Sequence, residues 1–422
     1  MSFSLPELQT QKYRSEQGTL LYTHNNPKTP LIRIEICVQS GSLHEQKSGE
    51  ANLLLACLFK GSQTMSHADF SQALESLGGS LSLRCTPTAQ YIRIEILRPY
   101  APQALQWIWE SLQTPLFLDS EIKKEKELLL SQLKNAEESP AYLAQKSFLK
   151  QIYGHASQAL LVDGSPDSLS QITREDLLHY HRSHYRFDNI VIALSGQEPD
   201  TLIATLDSSF TPSDSPRTPS GPLALNTPPS LAHRHHILTP DKDQCVVLMG
   251  SLGISRRDPD FMALMILDVL LGQGPGFSSR LPQILRDQQG LVYHLSFSAT
   301  QNAHLYPGIV QTYLECSPDK VEKCIRQVNH ELIRACEEPV ALQELQTIQT
   351  YLQGQLYFCF ETNAQRCGYF LHKHTFGWSD HHLADYLEQL HAVTPEHLQQ
   401  AAQRQLKNKQ QTIITAGPSP LD

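Results

Sequence analysis

The chain writes one instruction twice. QITREDLLHYHRSHYRFDNIVIALSG, Gln171 to Gly196, opens with a helix-start signal, continues as an amphipathic helix and closes in an apolar strand ending at glycine. AVTPEHLQQAAQRQLKNKQQTIITAG, Ala392 to Gly417, repeats that order at a fixed offset, so that Ile172 answers to Val393, Leu177 to Leu398 and Gly196 to Gly417. Such an internal duplication constrains the fold more than any single motif, because whatever one half becomes the other must become too. Between the halves, Asp207 to Ser230 (DSSFTPSDSPRTPSGPLALNTPPS) is crowded with Pro, Ser and Thr and lacks a hydrophobic period, as an extended linker would. The expected organisation is a domain over 1–206, a linker over 207–230 and a second domain over 231–422, and 422 residues are enough for two cores.

Period-two alternation at Ile32, Ile34, Ile36 and Val38, and again at Ile92, Ile94 and Ile96, predicts antiparallel strands with one buried face. Helical stretches follow at Glu121 to Glu138, Ala141 to Tyr153 and Ala341 to Phe376. Strands and helices interleave without strict βαβ alternation, so the expected class is α+β: two homologous α/β sandwich domains, each a mostly antiparallel sheet packed against helices.

A formal charge of −9, from 43 acidic and 34 basic residues without a Lys/Arg run, argues against nucleic-acid or anionic-lipid partners and favours a basic over an acidic peptide. The N-terminus has no secretory pattern and no run of 18 apolar residues occurs, so a soluble cytoplasmic protein is expected, without a membrane partner. Nine cysteines without a CxxC, such as Cys37, Cys57 and Cys359, read as buried free thiols in a reducing compartment.

Several blocks in one order resemble the inverted-zincin peptidases that include mitochondrial processing peptidase, pitrilysin and insulysin. They are SGSLHE, LFKGS (Leu58 to Ser62) followed by LESLGGSLS, YGHASQALLVDGSPDSLSQITREDLLHYHRSHYRFDNIV, and GFSSRLPQILRDQQGLVY (Gly276 to Tyr293). The likeness spans essentially the whole chain and implies a fold like that of mitochondrial processing peptidase. That family works through an H-x-x-E-H helix, in which two His one turn apart hold Zn²⁺ and the Glu is general base. Aligned on LFKGS, those positions fall on Asn52, Leu55 and Ala56, and the third ligand, a Glu on a later helix, falls on Gln132 or its neighbour Ser131. A lone amide and two side chains without a lone pair can neither hold zinc nor activate water, so GEANLLLACLFKG, Gly49 to Gly61, is expected to be plain buried helix. No metal or other cofactor is expected in this chain.

Other family residues remain. LRDQQGLVY keeps Arg286 and Tyr293 at the spacing of the family's substrate-binding Arg/Tyr pair, which by resemblance orients the substrate carbonyl and stabilises the oxyanion. Locally, Ser278 or Ser279 would cap a short helix, Gly290 would end it, and a strand would begin at Leu291, placing Arg286 on the last helical turn and Tyr293 just inside the strand. From the residues alone, an Arg near a helix C-terminus and a Tyr in a strand are more readily ordinary structure, and it is the family pattern around them that favours the substrate role. Upstream, LLGQGPGFSSR carries Gly272, Gly274 and Gly276 and corresponds to the glycine-rich loop of the family's noncatalytic subunits. Gly274, Gly276, Phe277 and Ser278 are therefore the expected peptide contacts, with a bare turn as the alternative. The histidines at 179, 181 and 184, at 233, 235 and 236, and at 372 and 374 lack a recognisable zinc spacing and read as surface or structural.

The resemblance implies a noncatalytic subunit that pairs with a zinc-bearing homologue of similar length, the two closing around a chamber for unfolded peptides. Arg286 and Tyr293 would act in trans on the partner's zinc site. The alternative is a homodimeric peptide-binding or scaffold protein without peptidase activity.

Overall fold

The computed structural model describes residues 10–15, 18–154, 156–209, 233–274, 279–407 and 410–418. In the first copy the strands are β1 (Thr10–Arg14), β2 (Leu20–Asn25), β3 (Leu31–Val38), β4 (Ser80–Cys85), β5 (Gln90–Leu97) and β6 (Ile190–Gly196). Its helices are α1 (Glu50–Cys57), α2 (His67–Ser76), α3 (Ala101–Gln113), α4 (Asp119–Glu137), α5 (Pro140–Tyr153), α6 (Pro166–Gln171), α7 (Arg174–His184) and α8 (Ile203–Ser209). The second copy runs β7 (His233–Leu238), β8 (Cys245–Leu252), α9 (Phe261–Asp268), a π-helical turn Val269–Gln273, α10 (Arg280–Pro282) continuing into a π-helical turn Gln283–Gln288, β9 (Val292–Gln301) and β10 (Ile309–Cys316). It ends with α11 (Val321–Glu337), α12 (Leu342–Phe358), α13 (Asn363–Phe376), α14 (His382–Ala392), α15 (Pro395–Gln405) and β11 (Thr412–Gly417).

The duplication is visible in the sheets. Among the described residues one sheet runs β1-β2-β6-β3-β5-β4 and the other β7-β11-β8-β10-β9. In each, the strand from the repeated segment, β6 or β11, lies parallel to one neighbour and antiparallel to the other. Thr173 and Thr394, equivalent in the two segments, cap α7 and α15 by accepting from the backbone N–H three residues on. All other strand pairs are antiparallel, so the architecture is two homologous α/β sandwiches with mostly antiparallel sheets.

Alternation works as the sequence predicts: Ile32, Ile34, Ile36, Val38, Ile92, Ile94 and Ile96 are all fully buried on one face of the first sheet. The other face, with Leu20, Tyr22, Cys37, Val191 and Ala193, packs against Cys367, Phe370 and Leu371 of α13. Tyr22 stacks on Phe370 at 5.9 Å, and the Cys367 thiol donates to the Ala193 carbonyl at 3.5 Å. In the second sheet, Cys245, Val247, Met249, Leu295, Phe297 and Leu314 form a core with α9, α11 and α15, while α5 lies against β8 and β11.

The helices therefore change places. α5 and α13 occupy equivalent positions in the two copies, each following a long helix, α4 or α12, across a turn capped by Ser139 or Thr362. Yet the compact unit built on the first sheet contains α13, and the unit built on the second sheet contains α5.

Several details differ from expectation. The stretch Ala341 to Phe376 is two helices, because Thr362 and Gln365 form a capping box that starts α13 afresh. Cys37 and Cys57 are buried, but Cys359, just past the end of α12, is exposed. The expected linker is helical in its first residues, where α8 reaches Ser209, and residues 210–230 lie outside the described residues. Among the described residues no helix is long and apolar enough to cross a membrane.

Candidate functional site

The start of helix α1 is fixed by one acidic side chain. Glu45 accepts from the backbone N–H of Gly49 at 2.9 Å and of Ala51 at 3.2 Å, satisfying donors that a helix start leaves open. Burial outweighs these bonds and pushes the Glu45 carboxyl up to about 7. Ala51, Leu53, Leu54, Leu55 and Cys57 are buried, so the helix is core on most of its surface.

The positions that the resemblance aligns with the family's zinc ligands carry no ligand set. The Asn52 amide donates to Asp163 Oδ1 at 3.2 Å, Leu55 is packed at 2% exposure, and Ala56 is half-buried. Gln132 and Ser131 are exposed on α4. With only neutral amide and hydroxyl oxygens among these residues, and no imidazole, thiolate or carboxylate, the site does not fit a zinc ion.

A cleft of about 330 Å³ opens beside α1, bounded by Asn52, Ala56, Phe59, Phe70, Leu81 and Leu83. Its polar wall is a relay that the sequence reading missed. Lys60 Nζ lies 2.8 Å from Glu125 Oε1 and 3.4 Å from His67 Nε2, and His67 Nδ1 is 3.2 Å from the Phe59 carbonyl. That carbonyl can only accept, which puts the proton on Nδ1 and leaves Nε2 to accept from the ammonium. Lys60 stands inside LFKGS, the block used for alignment, so the signal was present; its partners come from other helices and could not be paired by spacing.

The histidines near the end of α7 are structural. His181 Nε2 is 2.8 Å from the Leu112 carbonyl and His184 Nδ1 is 3.0 Å from Ser40 Oγ, and burial pushes both imidazoles down to about 4. His374 Nε2 lies 3.1 Å from Gln39 Oε1. Among the described residues no group of three or more His, Cys, Asp or Glu could hold a metal ion.

In the second unit, the helix, turn and strand around Arg286 fall where the sequence places them. Ser279 occupies the cap position with extended backbone, although its Oγ accepts from the Gly274 N–H at 2.6 Å instead of from the helix. Arg286 lies on the π-helical turn, with Nε donating to Asp287 Oδ1 at 2.9 Å. Gly290, at φ +56°, turns the chain left-handed, and its N–H donates to the Arg286 carbonyl at 3.1 Å.

Tyr293 is 82% exposed, and its direction comes from a bulge. Cys316 pairs with Val292 and Glu315 with His294, so Tyr293 is the extra residue on β9, itself an edge strand. Strict alternation would have put Tyr293 on the core face with Leu295 and Phe297. The bulge gives that place to Val292, which is buried, and turns the phenol outward. Arg286 and Tyr293 are thus set on either side of one tight corner.

Gly272 has a packing reason to be glycine, since a Cβ there would meet Phe297 atoms at 2.5 Å. Gly274 is half-buried and extended. Gly276, Phe277 and Ser278 lie outside the described residues.

The family described as insulinase (peptidase family M16) matches residues 20–162, and the peptidase M16 inactive domain matches residues 171–352. An uncharacterised zinc protease of Streptomyces coelicolor is 23% identical over 412 residues, covering 95% of this chain and 88% of its own. A non-peptidase homolog from Helicobacter pylori is 24% identical over 363 residues, covering 84% and 81%. The crystal structure of a peptidase M16 inactive domain from Pseudomonas fluorescens superimposes with a TM-score of 0.86 at 22% identity, over 98% of this chain and 100% of that one. Two matched family regions that together span most of the chain, on a fold written twice, place it in peptidase family M16.

Proposed function

We propose that this chain is the noncatalytic subunit of a two-part cytoplasmic zinc metallopeptidase. A zinc-bearing homologue of similar length supplies the metal and general base, and this chain supplies Arg286, Tyr293 and half of a chamber for unfolded peptides. The observation that carries the reading is the contrast between the two sites. Where the family keeps its ligands, α1 presents Asn52, Leu55 and Ala56, whereas the corner holding Arg286 spends an edge-strand bulge on sending Tyr293 into solvent. An exposed aromatic ring gains nothing from burial, so its position there fits a donor waiting for a ligand.

The test is gentle purification from the native source, with mass spectrometry of whatever remains bound in stoichiometric amount. A partner of similar length with an intact H-x-x-E-H helix supports the reading, and recovery of this chain alone sinks it. The second reading, a homodimeric peptide-binding or scaffold protein, is favoured by the description of the Helicobacter pylori relative as a non-peptidase homolog.

A further inference from the structure

We propose that His233 and His235 on β7 form a two-imidazole site for a borderline transition-metal ion such as Zn²⁺ or Ni²⁺. Residues two apart on a strand share a face, and both rings stand on the same side of β7 with centroids 6.0 Å apart and planes inclined by 32°. Two imidazoles bound to one ion at about 2.0–2.1 Å bring their ring centres to roughly 5–6 Å, so a small side-chain rotation brings two nitrogens to one ion.

Helix α5 covers β8 and β11 on this face and reaches β7, so the ion would enter from the open edge of the strand. β7 is an edge strand, paired on one side only, where it runs parallel to β11 with His233 opposite Thr412 and His235 opposite Ile414. His235 is exposed and His233 half-buried. The intervening cation does not oppose binding, because Arg234 points to the other face and pairs with Glu322 on α11. His236 also faces that way, with Nδ1 2.9 Å from Thr415 Oγ1.

No third His, Cys, Asp or Glu among the described residues completes a cluster here, so water fills the remaining positions. A site of two ligands and open positions is exchangeable, unlike the closed four-ligand sites that hold a fold together. β7 and β9 are opposite edges of one sheet, so the site lies apart from Tyr293 and does not depend on the function proposed for Arg286 and Tyr293.

The test is calorimetric titration of untagged, chelator-stripped full-length protein with ZnCl₂ and with NiCl₂. One ion should bind per chain, and His233→Ala and His235→Ala should each weaken binding by about tenfold or more, with unchanged circular dichroism. His236→Ala, on the opposite face, should leave affinity as it was. The proposal is overturned if the unaltered protein binds no ion, if neither His233→Ala nor His235→Ala changes the affinity, or if His236→Ala weakens binding as much as they do.

Discussion

Val292 stands opposite Cys316 in the β9–β10 ladder, in the place that alternation reserves for Tyr293. The exchange separates two roles that neighbouring residues on a strand usually share. Tyr293→Phe should leave the melting temperature of the chain alone unchanged, while Val292→Ala should destabilise by about 1–3 kcal/mol. In the mixed complex, Tyr293→Phe and Arg286→Ala should each lower peptide cleavage by roughly a hundredfold without weakening assembly. Turnover equal to that of the unaltered complex would remove both residues from the reaction.

Helix α1 should respond to mutation as core. Leu55→Ala is expected to cost about 2–5 kcal/mol in denaturant unfolding, because a 2% exposed leucine leaves a cavity that the sheet cannot fill. Asn52→Ala removes one hydrogen bond to Asp163 and should cost about 1 kcal/mol. If Leu55→Ala proved neutral, the reading of this segment as packed helix would be wrong.

The exchanged helices predict that neither half folds by itself. A fragment ending in the linker lacks α13 and leaves Leu20, Tyr22 and Val191 uncovered. Residues 1–220 and 221–422 should therefore be insoluble when expressed singly and recovered together when coexpressed. Phe370→Ala, in the second half of the sequence, should destabilise the first sheet by about 3–5 kcal/mol, read as accelerated amide exchange in β2 and β6.

Stability should depend on pH through buried groups of opposite sign. Asp268, at the end of α9, accepts from the Ala299 N–H and from the Ser298 and Thr300 hydroxyls, yet complete burial raises its carboxyl to about 7. The native state then holds more protons than the unfolded chain between about pH 4 and 7, so this group lowers stability as pH rises through that window. His181 and His184, pushed down to about 4, hold fewer protons than in the unfolded chain, so their contribution is lost as pH falls from about 6.5 toward 4. Asp268→Asn should gain stability relative to the unaltered protein as pH rises from 4 to 7. A difference between the two melting curves that stays constant over that range would refute the assignment.

What the sequence disclosed followed from local rules. The isoleucines of β3 and β5, the caps at Thr173 and Thr394, and the turn at Gly290 each depend on residues within a few positions, and each appears where the pattern put it. The start of α13 was equally legible in Thr362 and Gln365, though the apolar content around it read as one continuous helix. Other features depend on distant partners. Alternation cannot reveal a bulge, which is defined by the opposite strand, so the direction of Tyr293 was hidden. Nor can the apolar face of α5 or α13 say which of two similar sheets it will cover. The Lys60–Glu125 pair was hidden for the same reason, being a contact between elements that no spacing rule connects.

The placement of α13 also sets a timetable for synthesis. The last strand of the first sheet is complete at Gly196, but the helix that covers its second face ends at Phe376. At about 5–20 residues per second, the ribosome takes on the order of ten seconds or more to supply it. Throughout that interval the nascent chain carries an uncovered apolar sheet face, a natural place for a holding chaperone to bind.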